Sequence, residues 1–526
     1  MILEGRALAE GDVRRTDVCI VGGGGAGITL ALELRDSGVD AVVLEGGGLD
    51  YEPESAELYD GEQVGAIFGA PDAPVTLREV RLRFLGGTTN HWAGYCRPQE
   101  EHTVRGHPHR PRSGWPIGYD ELGRWYEHVA PRFRIDTLAF DWETWADRLG
   151  LGTPLFTDGG FTTRVNQYRP IRFGSEFRAD LAAARDVEVI LHANATEVLV
   201  DDNSDAVRGV SVAVLDGPRF TVEARAVVVA VGGIENPRLL LASNSVRPAG
   251  LGNDRDLVGR HFCEHPQADI GLVILDRSPE QLALYDQTPL HDDDFYGVTS
   301  YLVADGDLID RDELLGFDAG LLPLSWPDEP QGDGLAASAV AQLAELTGAA
   351  PTQSISVLRA LPEQELNPES RVRLGRERDA LGVPKLELDW RFLDIDRDSM
   401  MTHARRLARE IGRRGLGRVQ LVPGALRFAE ERRDDDSYLG LFTLDPAAAD
   451  EDGFALGYGN HHMCTTRMAT SPSQGVVDTD CRVHGMANLY VAGSSVFPVA
   501  GTAPPTFTIA ALAARLAAHL VAKLSA

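Results

Sequence analysis

The chain has 526 residues, 43% of them hydrophobic, and carries 79 acidic against 50 basic side chains for a net charge of −29. That length provides roughly two to four domains' worth of core, and the charge argues against nucleic acid or an anionic membrane as a partner. Five cysteines are scattered, odd in number and without a C-x-x-C spacing, so reduced thiols in a cytoplasmic protein are expected.

No long apolar leader follows Met1, and the apolar runs, such as residues 226–231, are expected to be too short to cross a bilayer. The first predicted element is a β-branched strand, Asp17-Val18-Cys19-Ile20-Val21, which stops at a cluster of glycines. A helix follows through Ile28, Leu30, Leu32 and Leu34 and ends before Ser37-Gly38; a second strand, Ala41-Val42-Val43-Leu44, ends in Glu45. Gly22, Gly24 and Gly27 fit G-x-G-x-x-G. The first glycine permits a tight turn, the second lets backbone amides approach a pyrophosphate, and the third lets the helix pack close to the strand. Glu45 is placed to accept hydrogen bonds from a ribose diol. This motif alone does not separate NAD from FAD.

A second small-residue block runs Arg83-Phe84-Leu85-Gly86-Gly87-Thr88-Thr89-Asn90-His91-Trp92. Gly87 and Thr88 would let the backbone lie flat against a planar ring, with Asn90 and His91 beside it. His102, His107 and His109 follow without a helical i, i+4 pair or carboxylate partner, which predicts a solvated loop rather than a metal site. Val187-Glu188-Val189-Ile190-Leu191 predicts a strand ending in the polar turn His192-Ala193-Asn194, and residues 226–231 a strand buried in a parallel sheet. Further on, residues 292–294 and 329–334 are expected as loops and 336–346 as a short helix near a substrate entrance. Residues 385–390 alternate as a half-covered strand, and 396–414 form an arginine-rich helix.

Near the C-terminus stand Asn460-His461-His462-Met463-Cys464-Thr465-Thr466-Arg467-Met468, then Ala492-Gly493-Ser494-Ser495, then Ala503-Pro504-Pro505-Thr506. The last opens a helix near Thr506 through Leu512, Leu516 and Leu520, with Thr506 and Thr508 as its expected caps. In an extended segment His461 and His462 point to opposite faces.

Taken in order, these blocks resemble the glucose-methanol-choline (GMC) oxidoreductases, which bind FAD; residues 86–94 look most like the pyranose oxidase and bacterial sugar-oxidase branch. The resemblance extends through residues 192–198, 230–237, 257–262 and 367–372. It implies an α/β (α+β) protein with a discontinuous Rossmann-like FAD-binding domain, residues 1–100, 187–266 and 455–526. A sheet-and-helix substrate-binding domain would take residues 101–186 and 267–454. FAD would be held by Gly22, Gly24, Gly27, Glu45, Gly87, Thr88, Asn90, His91, Val198, Gly493, Ser494, Pro505 and Thr506, with Val198 meeting the adenine through its backbone. A covalent link through His91 is the lesser alternative to a dissociable cofactor.

The same resemblance names His461 as the base that takes a hydroxyl proton, with His462 beside it, while hydride leaves a CH–OH group for flavin N5. The substrate would be a sugar, glycoside or other secondary alcohol, and the electron acceptor O₂ or another oxidant. Cys464 and Ala469 stand where the family uses glycine. Pro504 stands where it uses a second catalytic histidine or asparagine, and proline has no side-chain donor or acceptor. That departure raises an alternative: tailoring of a specialised metabolite, or a redox-neutral lyase-type reaction.

Overall fold

The structure is a computed structural model. It describes residues 1–525 apart from 71–72, 202–204, 277–281, 283, 286–289, 293–294, 325–353, 422–425, 433–437 and 445–456. The loop and short helix expected at 329–334 and 336–346, and all of the 292–294 loop but Asp292, therefore lie outside the described residues.

Hydrophobic patterning dictates the first sheet. Val18, Cys19 and Ile20 are fully buried, as are Val227, Val228 and Val229; a strand apolar on both faces needs cover on both sides, the condition of a parallel sheet. The strand order is Ile2–Glu4, Val187–Leu191, Ala41–Leu44, Val13–Val21, Arg219–Val229, Val207–Ala213, Asn194–Val200. The first five run parallel, with Ile20 opposite both Val43 and Val228. The apolar run at 226–231 proves to be the end of the longer strand Arg219–Val229. Its first half pairs antiparallel with Val207–Ala213 and its last three residues pair parallel with Leu489–Val491. The chain thus returns from its far end to fill the sheet.

Helices Gly25–Leu34 and Pro505–Leu524 pack together, and Tyr119–Val129 covers the second. In the C-terminal helix Phe507, Leu512, Leu516 and Leu520 are buried, each worth about 2 kcal/mol. This helix corrects the expectation drawn from residues 226–231: it is 20 residues long and an 18-residue window of it has a mean hydropathy of 1.5, enough in length and composition to cross a membrane. Here that apolar surface serves the core, because its rows of alanine allow neighbouring elements to approach closely.

A second, antiparallel sheet has the order Gly417–Leu421, Pro266–Leu275, Ser354–Pro362, Phe317–Leu324, Phe295–Ala304, Phe161–Tyr168, Tyr95–Cys96. Gly457–Tyr458 adds to Pro266–Leu275 at its start. Helix Asp394–Arg413 buries Met400, Met401, Ala404, Leu407 and Ile411 in this sheet's core. A third sheet pairs Gly61–Gly65 in parallel with Pro384–Trp390, so a strand from the first hundred residues joins one from the second half of the chain.

Candidate functional site

One cavity of about 1210 Å³ takes in both glycine blocks and the C-terminal segment. Single small-ligand pockets run to roughly 300–1,000 Å³, so this volume suits a dinucleotide with room left for a substrate.

At its first end strand Val13–Val21 turns at Gly22 (φ +110°) into helix Gly25–Leu34, whose N-terminus has no side-chain cap. The uncapped amides and the helix dipole make an anion site. A Cβ on Gly27 would sit 1.8 Å from the Gly22 carbonyl oxygen; only glycine lets the helix lie this close to the strand. A Cβ on Gly24 would meet nothing within 4 Å and would project into the cavity, so the bare backbone there is a surface for a ligand. Glu45 ends the neighbouring strand, nearly buried, and its two oxygens accept N–H groups of Gly23 and Gly47 at 2.9 Å each. Burial pushes its carboxyl above the ordinary range, against those hydrogen bonds and Arg83.

The second block lies on the first: Gly86 N–H donates to the Gly23 carbonyl at 2.8 Å, and Gly24 and Gly86 form a parallel bridge. Gly86 and Gly87 hold positive φ values of 100° and 52°, open to glycine at no steric cost. Gly87, Thr88 and His91 line the cavity; His91 is exposed to it, and burial of its surroundings lowers its pKa, with Arg172 adding to the effect. Asn90 lies between Thr88 and His91, and its amide donates to the Leu85 carbonyl at 3.0 Å.

Val198 is buried in strand Asn194–Val200, where its N–H donates to Ser243 Oγ at 2.9 Å. Ala193, Asn194 and Ala195, at the head of that strand, line the wall, with the Asn194 Oδ1 accepting from Arg83 at 2.7 Å. Sequence reasoning passed over Asn194 as a site residue although it stood in the quoted turn. The predicted solvated loop at 102–109 is packed: His107 is buried and bonds Asp310 at 2.6 Å, and His109 bonds the Leu314 carbonyl.

The C-terminal segment forms the opposite wall. Asn236 is fully buried; its amide oxygen accepts Val231 N–H, and its nitrogen donates to the Ala492 carbonyl and Ser495 Oγ. Those bonds tie the Gly232-Gly233 turn to Gly493-Ser494, all four of which line the cavity. Cβ atoms on Gly232 and Gly493 would meet little or nothing. Cys464 adopts φ +69°, which explains why glycine suits that position. Pro504 is the N-cap of helix Pro505–Leu524 and makes no side-chain cap. Thr506 and Thr508 do not cap it either: Thr508 Oγ1 meets the Tyr126 hydroxyl at 2.7 Å. Pro504, Pro505 and Thr506 line the cavity.

His461 and His462 both line it, on different surroundings. His462 is buried, stacked on Phe262 with centroids 6.0 Å apart and edge-on to Phe68. Its Nε2 has no partner among the described residues, and burial followed by Arg81 lowers its pKa to about 3. His461 Nδ1 lies 2.9 Å from His265 Nδ1. Its pKa is held well below the ordinary 6.5 by burial, then by His265 and His462. His265 was not singled out from the sequence, although the resemblance block ends only three residues earlier, at Phe262. Beyond it the wall turns polar, with Gln267, Asp269, Arg359, Asn166, Tyr301 and Asp318. Arg359 clamps Asp269 through two bonds of 2.8 and 3.1 Å. Asn166 Oδ1 and Asp318 Oδ1 are buried without partners among the described residues, so hydroxyl donors on a ligand would be welcome there.

Comparison with known proteins agrees with this geometry. A family model described as GMC oxidoreductase matches residues 168–267, a second of the same description matches 367–513, and an FAD binding domain model matches 15–53. The last covers the glycine turn and Glu45, and the bared glycine backbone fits FAD. The chain is 25% identical to 2-methyl-1,2-propanediol dehydrogenase of Mycolicibacterium austroafricanum, over 54% of this chain and 61% of that one. It is 23% identical to the fructose dehydrogenase large subunit of Gluconobacter japonicus, over 95% of this chain and 97% of that one. Pyridoxine 4-oxidase from Mesorbium loti shares the fold, with a TM-score of 0.57 at 18% identity, covering 96% of this chain and 99% of that one.

Proposed function

Because the chain belongs to the GMC oxidoreductase family and binds FAD, we propose that it oxidises a CH–OH group of a small polyhydroxylated alcohol or sugar, with His461 as the base. The observation that carries this is a single cavity shared by the dinucleotide cradle at Gly22–Glu45 and the His461 ring. FAD, when bound, supplies the acceptor for the hydride that leaves the substrate carbon. His461 Nε2, which makes no hydrogen bond to a described residue, takes the hydroxyl proton, and the carbon–oxygen bond becomes a carbonyl. Gly493-Ser494 and the N-terminus of helix Pro505–Leu524 wall the ring end, where the helix dipole favours negative charge.

The polar wall at Asn166, Gln267, Asp269 and Asp318 supports a substrate with several hydroxyls, as do the diol and the sugar named for two relatives. The division into an FAD-binding unit (1–100, 187–266, 455–526) and a substrate-binding unit (101–186, 267–454) is part of this proposal. It is supported by a first sheet drawn only from the former segments. We assign His91 to the wall rather than to a covalent link, and cytoplasmic residence rests on the cysteine pattern.

The test is anaerobic mixing of the FAD-loaded protein with 1,2-diols, fructose and glycosides. Bleaching of the oxidised flavin band is expected; no bleaching across the whole panel would sink the proposal. Acid precipitation is expected to leave the yellow colour in the supernatant, and a yellow pellet would reassign His91.

A further inference from the structure

The two segments that carry His265 and His461 are held in register. Cys263 and Met463 exchange two backbone hydrogen bonds, of 3.2 and 2.9 Å, and Pro266 pairs with Tyr458. Between those clamps the fully buried Glu264 carboxylate accepts the N–H groups of His265 (3.0 Å) and Gly459 (2.8 Å) through Oε2. The backbone therefore leaves the two imidazoles facing each other. Ring centroids are 4.9 Å apart at 87°, with Nδ1 to Nδ1 at 2.9 Å. Two lone pairs cannot occupy that gap, nor can two N–H groups; one nitrogen donates and the other accepts.

We propose that His265 is a positioning residue that accepts the Nδ1–H of His461, so that His461 Nε2 presents its lone pair to the cavity. The opposite sense would put a proton on His461 Nε2 and leave it unable to act as a base. The need for a free lone pair on the base decides the sense, and the surroundings agree with it. His265 Nε2 is buried without a hydrogen-bond partner among the described residues, so the Nδ1 contact with His461 is the bond that orients its ring. Burial lowers the His265 pKa to about 4, so it is neutral and retains an acceptor nitrogen at neutral pH. Finally, Pro504 offers His461 no competing side-chain group. His265 thus does from the start of strand Pro266–Leu275 what no side chain at position 504 can do. It also removes the motive that Pro504 gave for a redox-neutral reaction.

When His461 Nε2 gains the substrate proton, the substrate O–H bond breaks and an N–H bond forms. The Nδ1–H stays shared with His265, and no further electron or proton is required.

This inference rests on His461 being the base, and the test separates the two. His265→Leu and His265→Asn are prepared as FAD-loaded proteins, and flavin reduction by a 1,2-diol is followed without oxygen. Asparagine places an acceptor oxygen near the Nδ1 position; leucine places none. His265→Leu is expected to lower the limiting rate on the order of 10²-fold with little change in KM, and His265→Asn to recover most of that loss. A leucine variant within threefold of wild type, or an asparagine variant as slow as leucine, would overturn the proposal. Independently of turnover and of variant folding, ¹⁵N-histidine NMR of the wild-type protein is expected to find the His461 proton on Nδ1; a proton on Nε2 would overturn it. Should no alcohol reduce the wild-type flavin, the proposed reaction fails while the NMR result still decides the tautomer.

Discussion

His265 Nδ1 and His461 Nδ1 are 2.9 Å apart, although 196 residues separate them in the chain. The contact exists because a strand of the second sheet begins where the last cavity-lining segment passes antiparallel to it. It turns an isolated histidine into half of an oriented pair.

Replacing His461 by alanine should slow flavin reduction by roughly 10²–10⁴-fold, the range general-base removal costs, while bound FAD stays near one per chain. Stopped-flow absorbance reads the first quantity and the visible spectrum the second. A variant that reduces as fast as wild type would move the base elsewhere.

The pH dependence follows from the same ring. A histidine base works only when neutral, and burial, His265 and His462 hold the His461 pKa well below 6.5. The limiting rate of reduction should therefore rise with pH along a limb lying wholly below 6.5 and stay flat above it. A limb centred above 6.5 would contradict the assignment.

Gly24 and Gly27 should separate cofactor binding from folding. A Cβ on Gly24 meets nothing within 4 Å, so Gly24→Ala should leave apoprotein stability within about 0.5 kcal/mol while raising the FAD dissociation constant steeply. In Gly27→Ala the new Cβ collides with the Gly22 carbonyl at 1.8 Å, so overpacking of about 1–3 kcal/mol or more should lower the melting temperature itself. Isothermal titration with FAD and thermal melts of the apoproteins check the pair.

Glu264 gives a stability signature. Burial raises its pKa from 4.5 to about 8, against hydrogen bonds from Gly459, His461 and His265. With the folded pKa above the unfolded one, its contribution is fully present below pH 4.5 and is lost as pH rises toward 8. Glu264→Gln does not titrate, so its melting temperature should gain on wild type between pH 5 and about 8 and level off above that. A difference that stays constant with pH would mean the carboxyl ionises normally.

Much of this was legible beforehand. Ala41–Leu44 and Val187–Leu191 are the strands the sequence pattern predicts, because β-branched runs closed by glycine or polar turns leave few other conformations. Gly22, Gly24, Gly27 and Glu45 meet at one end of the cavity or pack directly beneath it, since a local turn is encoded locally. The hydrogen bonds of Val198 and Asn90 were not legible, although both lie within matching blocks. Ser243, from a separate helix end, claims the Val198 N–H, and Asn90 turns back to Leu85. Hydrogen-bond partners of this kind are not ordered along the chain.

By itself, then, the sequence determined the dinucleotide turn, the parallel strands and the histidine pair at 461–462, because each depends on neighbours within one motif. Only the tertiary structure decided which histidine has a partner and that this partner is His265. Those outcomes depend on strand register between segments far apart in the chain, and that register is fixed by burial of whole sheets rather than by any local pattern.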